Sequence, residues 1–186
     1  MDVQVKTYSK QYIGYSGSSL QAFLRVDSTA ELQDIYNDAV DYAENYIHKD
    51  IAYTLKEYII EDFGSDEILI DEGFYNSISA ITYTDYNGGV HTVSGYTVSY
   101  VTSYNFLIEF NECISAEYLH IKFFTSFNSA DKIPRGIKRA IYVICSDLFD
   151  WERSSYSVQS SKRSDVIERL LNPYRKDFFI NYKYNC

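Results

Sequence analysis

Ser77-Ile78-Ser79-Ala80-Ile81-Thr82-Tyr83-Thr84-Asp85-Tyr86-Asn87-Gly88-Gly89-Val90-His91-Thr92-Val93 is the stretch on which the fold turns. Two runs rich in β-branched and aromatic residues flank an Asn-Gly pair. Both residues of such a pair accept the positive φ of a tight turn, which makes this the strongest short-range hairpin signal. Upstream, Thr54–Ile60 and Glu67–Ile70 read as strands, and downstream so do Tyr96–Val101, Asn105–Phe110 and Glu117–Phe124. No helical period interrupts them, so residues 53–125 are expected to form an antiparallel, meander-like sheet.

Outward from that block the period changes. Ser28-Thr29-Ala30-Glu31 has the form of a capping box, in which the serine caps a helix start and the glutamate reaches back. Leu32, Ile35, Tyr36, Ala39, Ala43, Tyr46 and Ile47 follow at helical spacing, and Gln33, Asp34, Asn37, Asp38, Asp41 and Glu44 form the polar face. The pattern predicts an amphipathic helix over about residues 29–48. On the other side Pro134 opens a second helix, carried by Ile137, Ala140, Ile141, Ile144, Cys145, Leu148 and Trp151. Lys162–Leu171 gives a third, stopped at Asn172-Pro173. The expected architecture is α+β: a small helical bundle (helices within 20–48 and 134–172) with the β-rich insertion at 53–125. A Tyr/Ser/Gly-rich N-terminal arm (1–19) and a C-terminal arm (174–186) flank this domain of residues 20–173.

Composition narrows the function classes. The 186 residues are long enough for one buried core, and 46% hydrophobic with 23% charged residues is ordinary for a folded domain. The 20 tyrosines and 11 phenylalanines are unusual. Tyrosine joins apolar area to a hydrogen-bonding tip and suits surfaces buried on assembly, although it also fills strand positions. A net charge of −9 disfavours a chain whose work is to grip phosphates. An acidic wall can instead let a duplex pass without holding it, and simple solubility is the plainer reading of the same charge. Cys113, Cys145 and Cys186 show no CxxC pair and read as reduced thiols of a protein made in the cytoplasm. No apolar run approaches a membrane span, and Met1-Asp2-Val3-Gln4-Val5-Lys6 lacks a signal-peptide pattern.

Catalytic, cofactor and metal motifs are not apparent. His48, His91 and His120 have no metal-ligand spacing, and each reads as structural. Glu61-Asp62, Asp66-Glu67 and Asp71-Glu72 are the densest acidic cluster, but they lack EF-hand spacing and flank strands as solvated ends do. Gly88-Gly89 is not a phosphate loop, and no GxSxG occurs. Neither a metal nor a cofactor is expected, nor an enzyme. Lys132, Arg135, Lys138 and Arg139 lie near one helical face. They suit phosphate or an acidic neighbouring subunit, and a solvated helix face is the alternative.

Taken in order, these segments resemble the head–tail connector (adaptor, or DNA-packaging) family of tailed bacteriophages. Leu20-Gln21-Ala22-Phe23-Leu24-Arg25-Val26-Asp27 looks like the family's opening segment. Ala43-Glu44-Asn45-Tyr46-Ile47 resembles the end of its first helix, shifted at the glutamate. Ser77–Asp85 with Asn87-Gly88 looks like its hairpin, and Tyr96-Thr97-Val98 follows in place. Ile133-Pro134-Arg135-Gly136-Ile137-Lys138-Arg139-Ala140-Ile141 and Trp151-Glu152-Arg153 resemble its C-terminal helix. Leu170-Leu171-Asn172-Pro173-Tyr174-Arg175 resembles its closing motif. The resemblance runs from Leu20 to Arg175, and a ring protein of a crAss-like phage tail fits the same pattern. The chain departs from the family in its tyrosine and asparagine content, its longer N-terminal arm and its continuation past Arg175.

The resemblance implies a homo-oligomeric, twelvefold ring in the virion, docked beneath the portal protein and contacting the next tail component. Double-stranded DNA would pass through its lumen without sequence-specific binding, and no membrane is involved. It implies too that the C-terminal arm clasps the portal. The residues agree at that point, because Phe178, Phe179, Ile180, Tyr182 and Tyr184, with Tyr174 and Arg175 before them, make an aromatic segment suited to β-augmentation or groove filling. Packing of that tail on its own core is the alternative. A DNA-contacting packaging or completion factor, using the basic group on the helix after Pro134, is the second functional reading.

Overall fold

The computed structural model describes residues 3–26, 31–100, 105–153 and 160–175. In chain order they form β1 (Val3–Gln11), α1 (Gly17–Leu24), α2 (Leu32–Ile47), β2 (Tyr53–Ile70), β3 (Tyr75–Thr84), β4 (Val90–Thr92), β5 (Tyr96–Tyr100), β6 (Phe106–Thr125), α3 (Arg135–Arg153) and α4 (Ser160–Leu171). Short 3-10 turns at Ala130–Lys132 and Asn172–Tyr174 precede α3 and follow α4. The fold is α+β, as expected. The chain divides into a sheet unit, which holds all six strands, and a helical unit, which holds the four helices.

All strand pairs of the sheet unit are antiparallel, in the order β1-β2-β6-β3-β4, with β5 also on β6. This is not the expected meander. The runs 54–60 and 67–70 are one 18-residue strand, and 105–110 and 117–124 belong to one 20-residue strand. β6 therefore lies between β2 and β3, which are consecutive in sequence yet do not pair with each other. The intervening Asp, Gly and Ser residues make a bend rather than a loop. Asp62 takes a left-handed φ of 52°. Between the pairs Ser65↔Ile114 and Glu67↔Glu109, β2 advances two residues while β6 advances five. The surplus on β6 forces the ribbon round a corner, as a bulge does.

The corner creates the core. Phe106 and Phe123 stand near opposite ends of β6, about 56 Å apart if the strand ran straight. Their ring centroids lie 5.7 Å apart instead. The ribbon thus folds over and buries its own concave face, where Tyr75 packs on Phe106 (4.6 Å) and Tyr58 on Phe123 (5.3 Å). Phe63, Phe106 and Phe123 are fully buried there, each contributing about 1.5–3 kcal/mol of apolar burial. The quoted hairpin forms with Thr84 opposite Val90. Its loop spans residues 85–89 and is organised by Asp85. One carboxylate oxygen accepts from the Asn87 and Gly89 N–H groups (2.9 and 2.8 Å), the other meets His91 Nε2 (2.9 Å), and Gly88 supplies φ +84°. The Asn-Gly signal located the turn, and the aspartate two residues earlier sets its form.

In the helical unit α2 and α3 share one core. Leu32, Ile35, Ala39, Ala43 and Ile47 face Ile137, Ala140, Ile141 and Ile144, all buried. Alanines at 39, 43 and 140 let the two backbones approach closely. α2 begins at Leu32 rather than 29. Glu31 sits at its N-cap in a left-handed conformation without a side-chain cap bond, and the serine of the expected capping box lies outside the described residues. α1 is capped by Ser16, whose hydroxyl accepts from Ser19 N–H. The segment leading into α1 is fastened to α2: Tyr36 donates to the Ile13 carbonyl (2.8 Å) and Tyr12 to the Asp41 carboxylate (2.9 Å). Gly14, at φ +94°, lies so close that a Cβ would meet Ile133 Cδ1 at 2.9 Å and the Tyr36 hydroxyl at 3.0 Å.

Candidate assembly surfaces

The closing motif folds back onto its own helices. Tyr46 donates to Asn172 Oδ1 (2.6 Å), and the Arg175 guanidinium lies over the Tyr46 ring at 5.5 Å. Tyr174 packs over Gly136, where a Cβ would come within 3.0 Å of its hydroxyl and 3.4 Å of the Leu170 carbonyl. Glycine in the first turn of α3 is therefore a packing requirement. Tyr174 and Arg175, read from sequence as the start of the portal-binding segment, are thus positioned by the helical unit. Phe178, Phe179, Ile180, Tyr182 and Tyr184 lie outside the described residues.

The basic group gathers at the start of α3, but not on one helical face as expected: Lys132 lies in the 3-10 turn Ala130–Lys132, with extended Ile133 and Pro134 between it and the helix. Lys132, Arg135 and Arg139 are exposed and Lys138 is half-buried. The first turn of α3 holds no acidic residue, so three cations stand near the positive end of the helix dipole, where they cost rather than contribute stability. The polar back of α2 has the opposite character. Glu31, Asp34 and Asp38 are exposed, and the helix contains no Lys or Arg.

The outer face of the sheet carries a buried carboxylate. Glu57 is cross-strand to Lys122 on one side and Lys6 on the other. Its carboxylate accepts from the Tyr8 hydroxyl and meets His120 Nδ1 (3.3 Å) and Lys122 Nζ (3.8 Å), and Lys122 also lies 5.3 Å from the Tyr8 ring centroid. Burial disfavours the charge. The hydrogen bonds from Tyr8 and His120 and the nearby Lys122 together outweigh it and hold the Glu57 pKa below the ordinary value. The same bond pushes the Tyr8 hydroxyl up. Glu72 is similarly engaged, by Lys56 (2.9 Å) and Tyr58 (3.0 Å). Burial first, then Glu72, raises the Tyr58 pKa.

The acidic pairs noted in the sequence are accordingly divided. Glu72 has these two neighbours, and Asp62 accepts from Tyr86 (2.6 Å). No group of three or more His, Cys, Asp or Glu converges among the described residues. His91 belongs to the hairpin loop, His120 to Glu57, and His48 is the left-handed C-cap of α2. Cys145 is buried in the helical core, which pushes its thiol pKa up to about 12, and Cys113 is exposed at the corner of β6. No helix among the described residues is long and apolar enough to cross a membrane.

The whole arrangement has structural counterparts. The chain is similar in fold to chains of gene transfer agent particles. One, in the neck of an empty particle computed with C6 symmetry, gives a TM-score of 0.75 at 12% identity, covering 96% of this chain and 98% of that one. A chain in the virion of a native particle gives 0.72 at the same identity and coverage. A third, in the neck of a native particle computed with C12 symmetry, gives 0.67, again at 12% identity. No protein-family model and no curated protein sequence matches.

Two features escaped the sequence reading. The Glu57 cluster joins β1, β2 and β6, and nothing in the order of the residues announces that pairing. The acidic back of α2 was legible as a polar face, but not as one set on the far side of a core shared with α3.

Proposed function

We propose that this chain is a structural, non-enzymatic subunit of a head–tail connector (adaptor) ring in a tailed phage or phage-like particle. It docks beneath the portal, extends the DNA channel and joins head to tail. One observation carries the reading: 96% of the chain shares its fold with chains in the neck of gene transfer agent particles. The C6 and C12 symmetries of those particles support a ring, with twelve copies as the expected number. The formal charge of −9 suits a tube through which DNA slides. In this reading the segment after Arg175, with Phe178, Phe179, Ile180, Tyr182 and Tyr184, attaches the ring to the portal by strand addition or groove filling.

Electron microscopy of the purified protein mixed with its portal tests the assignment, with a ring coaxial with the portal as the expected result. Truncation after Arg175 keeps the Tyr174 and Arg175 contacts, and it should abolish portal binding while leaving the melting temperature unchanged. Normal portal binding by the truncated chain would remove the arm from the account. The second reading, a packaging factor that contacts DNA through Lys132, Arg135, Lys138 and Arg139, is favoured by the exposure of Lys132, Arg135 and Arg139. It requires duplex affinity that falls steeply with salt.

A further inference from the structure

We propose that the ring closes by pairing the basic face of α3 on one copy with the acidic back of α2 on the next. This rests on the ring reading and names the surfaces that make the ring. The geometry points to it in three ways.

The first is complementarity of charge and spacing. On the helices themselves, Asp34 and Asp38 stand at i, i+4 on α2 and Arg135 and Arg139 at i, i+4 on α3, about 6 Å of helix rise in each case. Glu31, the N-cap of α2, and Lys132, in the 3-10 turn before α3, extend the two rows at the same sequence spacing. All six side chains are exposed. Asp131, beside Lys132, is the one acid next to the basic row.

The second is that each row repels itself. Asp34 with Asp38, and Arg135 with Arg139, are like-charge pairs at i, i+4, an arrangement that destabilises an isolated helix. Arg135, in the first turn of α3, also opposes that helix's dipole, whereas Asp34, in the first turn of α2, is favoured by its own. None of the six has an ion-pair or hydrogen-bond partner among the described residues. A neighbouring copy would relieve both rows at once.

The third is direction. α2 and α3 bury their apolar faces against each other, so their polar backs look away from a shared core in opposite directions. A ring needs that arrangement: a head-to-tail contact joins two different, complementary patches on opposite sides of a subunit. Duplex DNA is the competing occupant of the basic face, but it would leave the acidic row of α2 without a role.

The test uses the full chain and two charge-reversed variants, R135E/R139E and D34K/D38K, with assembly followed by sedimentation velocity and negative-stain microscopy. Wild type should form rings that loosen as salt rises. Each variant should keep its far-UV circular dichroism and lose self-association by about 100-fold or more, since like charges then face each other. Mixing the two variants should restore rings of alternating subunits, because an all-acidic copy then meets an all-basic one on both sides. The quadruple variant, with both rows exchanged, should assemble alone. Rings from either double variant by itself, or no rescue on mixing, overturn the proposal. So does normal assembly of R135E/R139E with a loss of low-salt affinity for duplex DNA. Wild type that stays monomeric at every concentration, with and without portal, overturns the ring reading itself.

Discussion

Glu57 in the sheet unit and Asp38 in the helical unit are both carboxylates on regular elements, and the molecule treats them in opposite ways. Glu57 is buried and ringed by Tyr8, His120 and Lys122. Asp38 is exposed, one turn from the like-charged Asp34, with no such company. Two of the sheet's carboxylates, Glu57 and Glu72, have a lysine at hand, Lys122 and Lys56, and the sheet folds over until its aromatic face is its own core. The helices sort theirs into one acidic and one basic row. Local neutralisation suits a body that must hold its shape alone, and sorted charge suits one that must find neighbours.

The largest expected effect lies in the sheet. Phe106→Ala removes the ring that joins Tyr75 to Phe123 across the folded ribbon. It should cost about 3–5 kcal/mol, the usual range for a buried phenylalanine. Thermal unfolding by circular dichroism measures it. A loss below about 1 kcal/mol would mean that the ribbon does not close on itself.

Next comes Gly14→Ala in the helical unit. A left-handed φ and a Cβ 2.9 Å from Ile133 Cδ1 should together cost about 1–3 kcal/mol. Hydrogen exchange should show the loss concentrated where Tyr36 holds the Ile13 carbonyl. A loss spread evenly through both units would blur the division between them.

How much of this was legible beforehand follows the range of the interactions. The helices were readable because Leu32, Ile35, Ala39 and Ala43 signal a face through neighbours three and four residues away. The β3–β4 hairpin was readable because its turn chemistry is local. The strand order was not. Asp62 and Ser65 carry the residue types of a loop, and only the pairing of β2 with β6 shows them to be a bend in a continuous strand. Non-local pairing also explains why β1 read as a loose arm: among the described residues it pairs with β2, some fifty residues away. Of the surface residues, Lys132, Arg135, Lys138 and Arg139 were visible as a local cluster. Their acidic counterpart needed α2 and α3 to be set core to core.

Glu57→Gln sharpens the charge contrast through pH. The folded-state pKa of Glu57 is lowered, so its contribution is present above the unfolded-state pKa and fades as pH falls through the folded value. The variant should be less stable than wild type by about 1 kcal/mol at neutral pH. The gap should narrow in acid, as pH falls through the lowered folded-state pKa and both chains come to carry a neutral side chain at that position. A series of melting curves from neutral pH downward reads the difference directly. A gap that persists unchanged in acid would mean that the cluster acts by packing rather than by charge.

The smallest effect has the most telling sign. In the helical unit, Asp38→Asn removes the repulsion with Asp34 and leaves Asp34 in the first turn of α2, where the helix dipole favours it. The separated subunit, studied at low concentration and low salt, should become more stable by about 0.2–0.5 kcal/mol. If the proposed ring forms, self-association should become weaker. A neutral substitution that helps the monomer and harms the oligomer is hard to produce by damaging a fold, because damage lowers both. The same change made at Glu57 should lower monomer stability. Opposite signs from one chemical edit, carboxylate to amide, would separate charge kept for the fold from charge held for a neighbour.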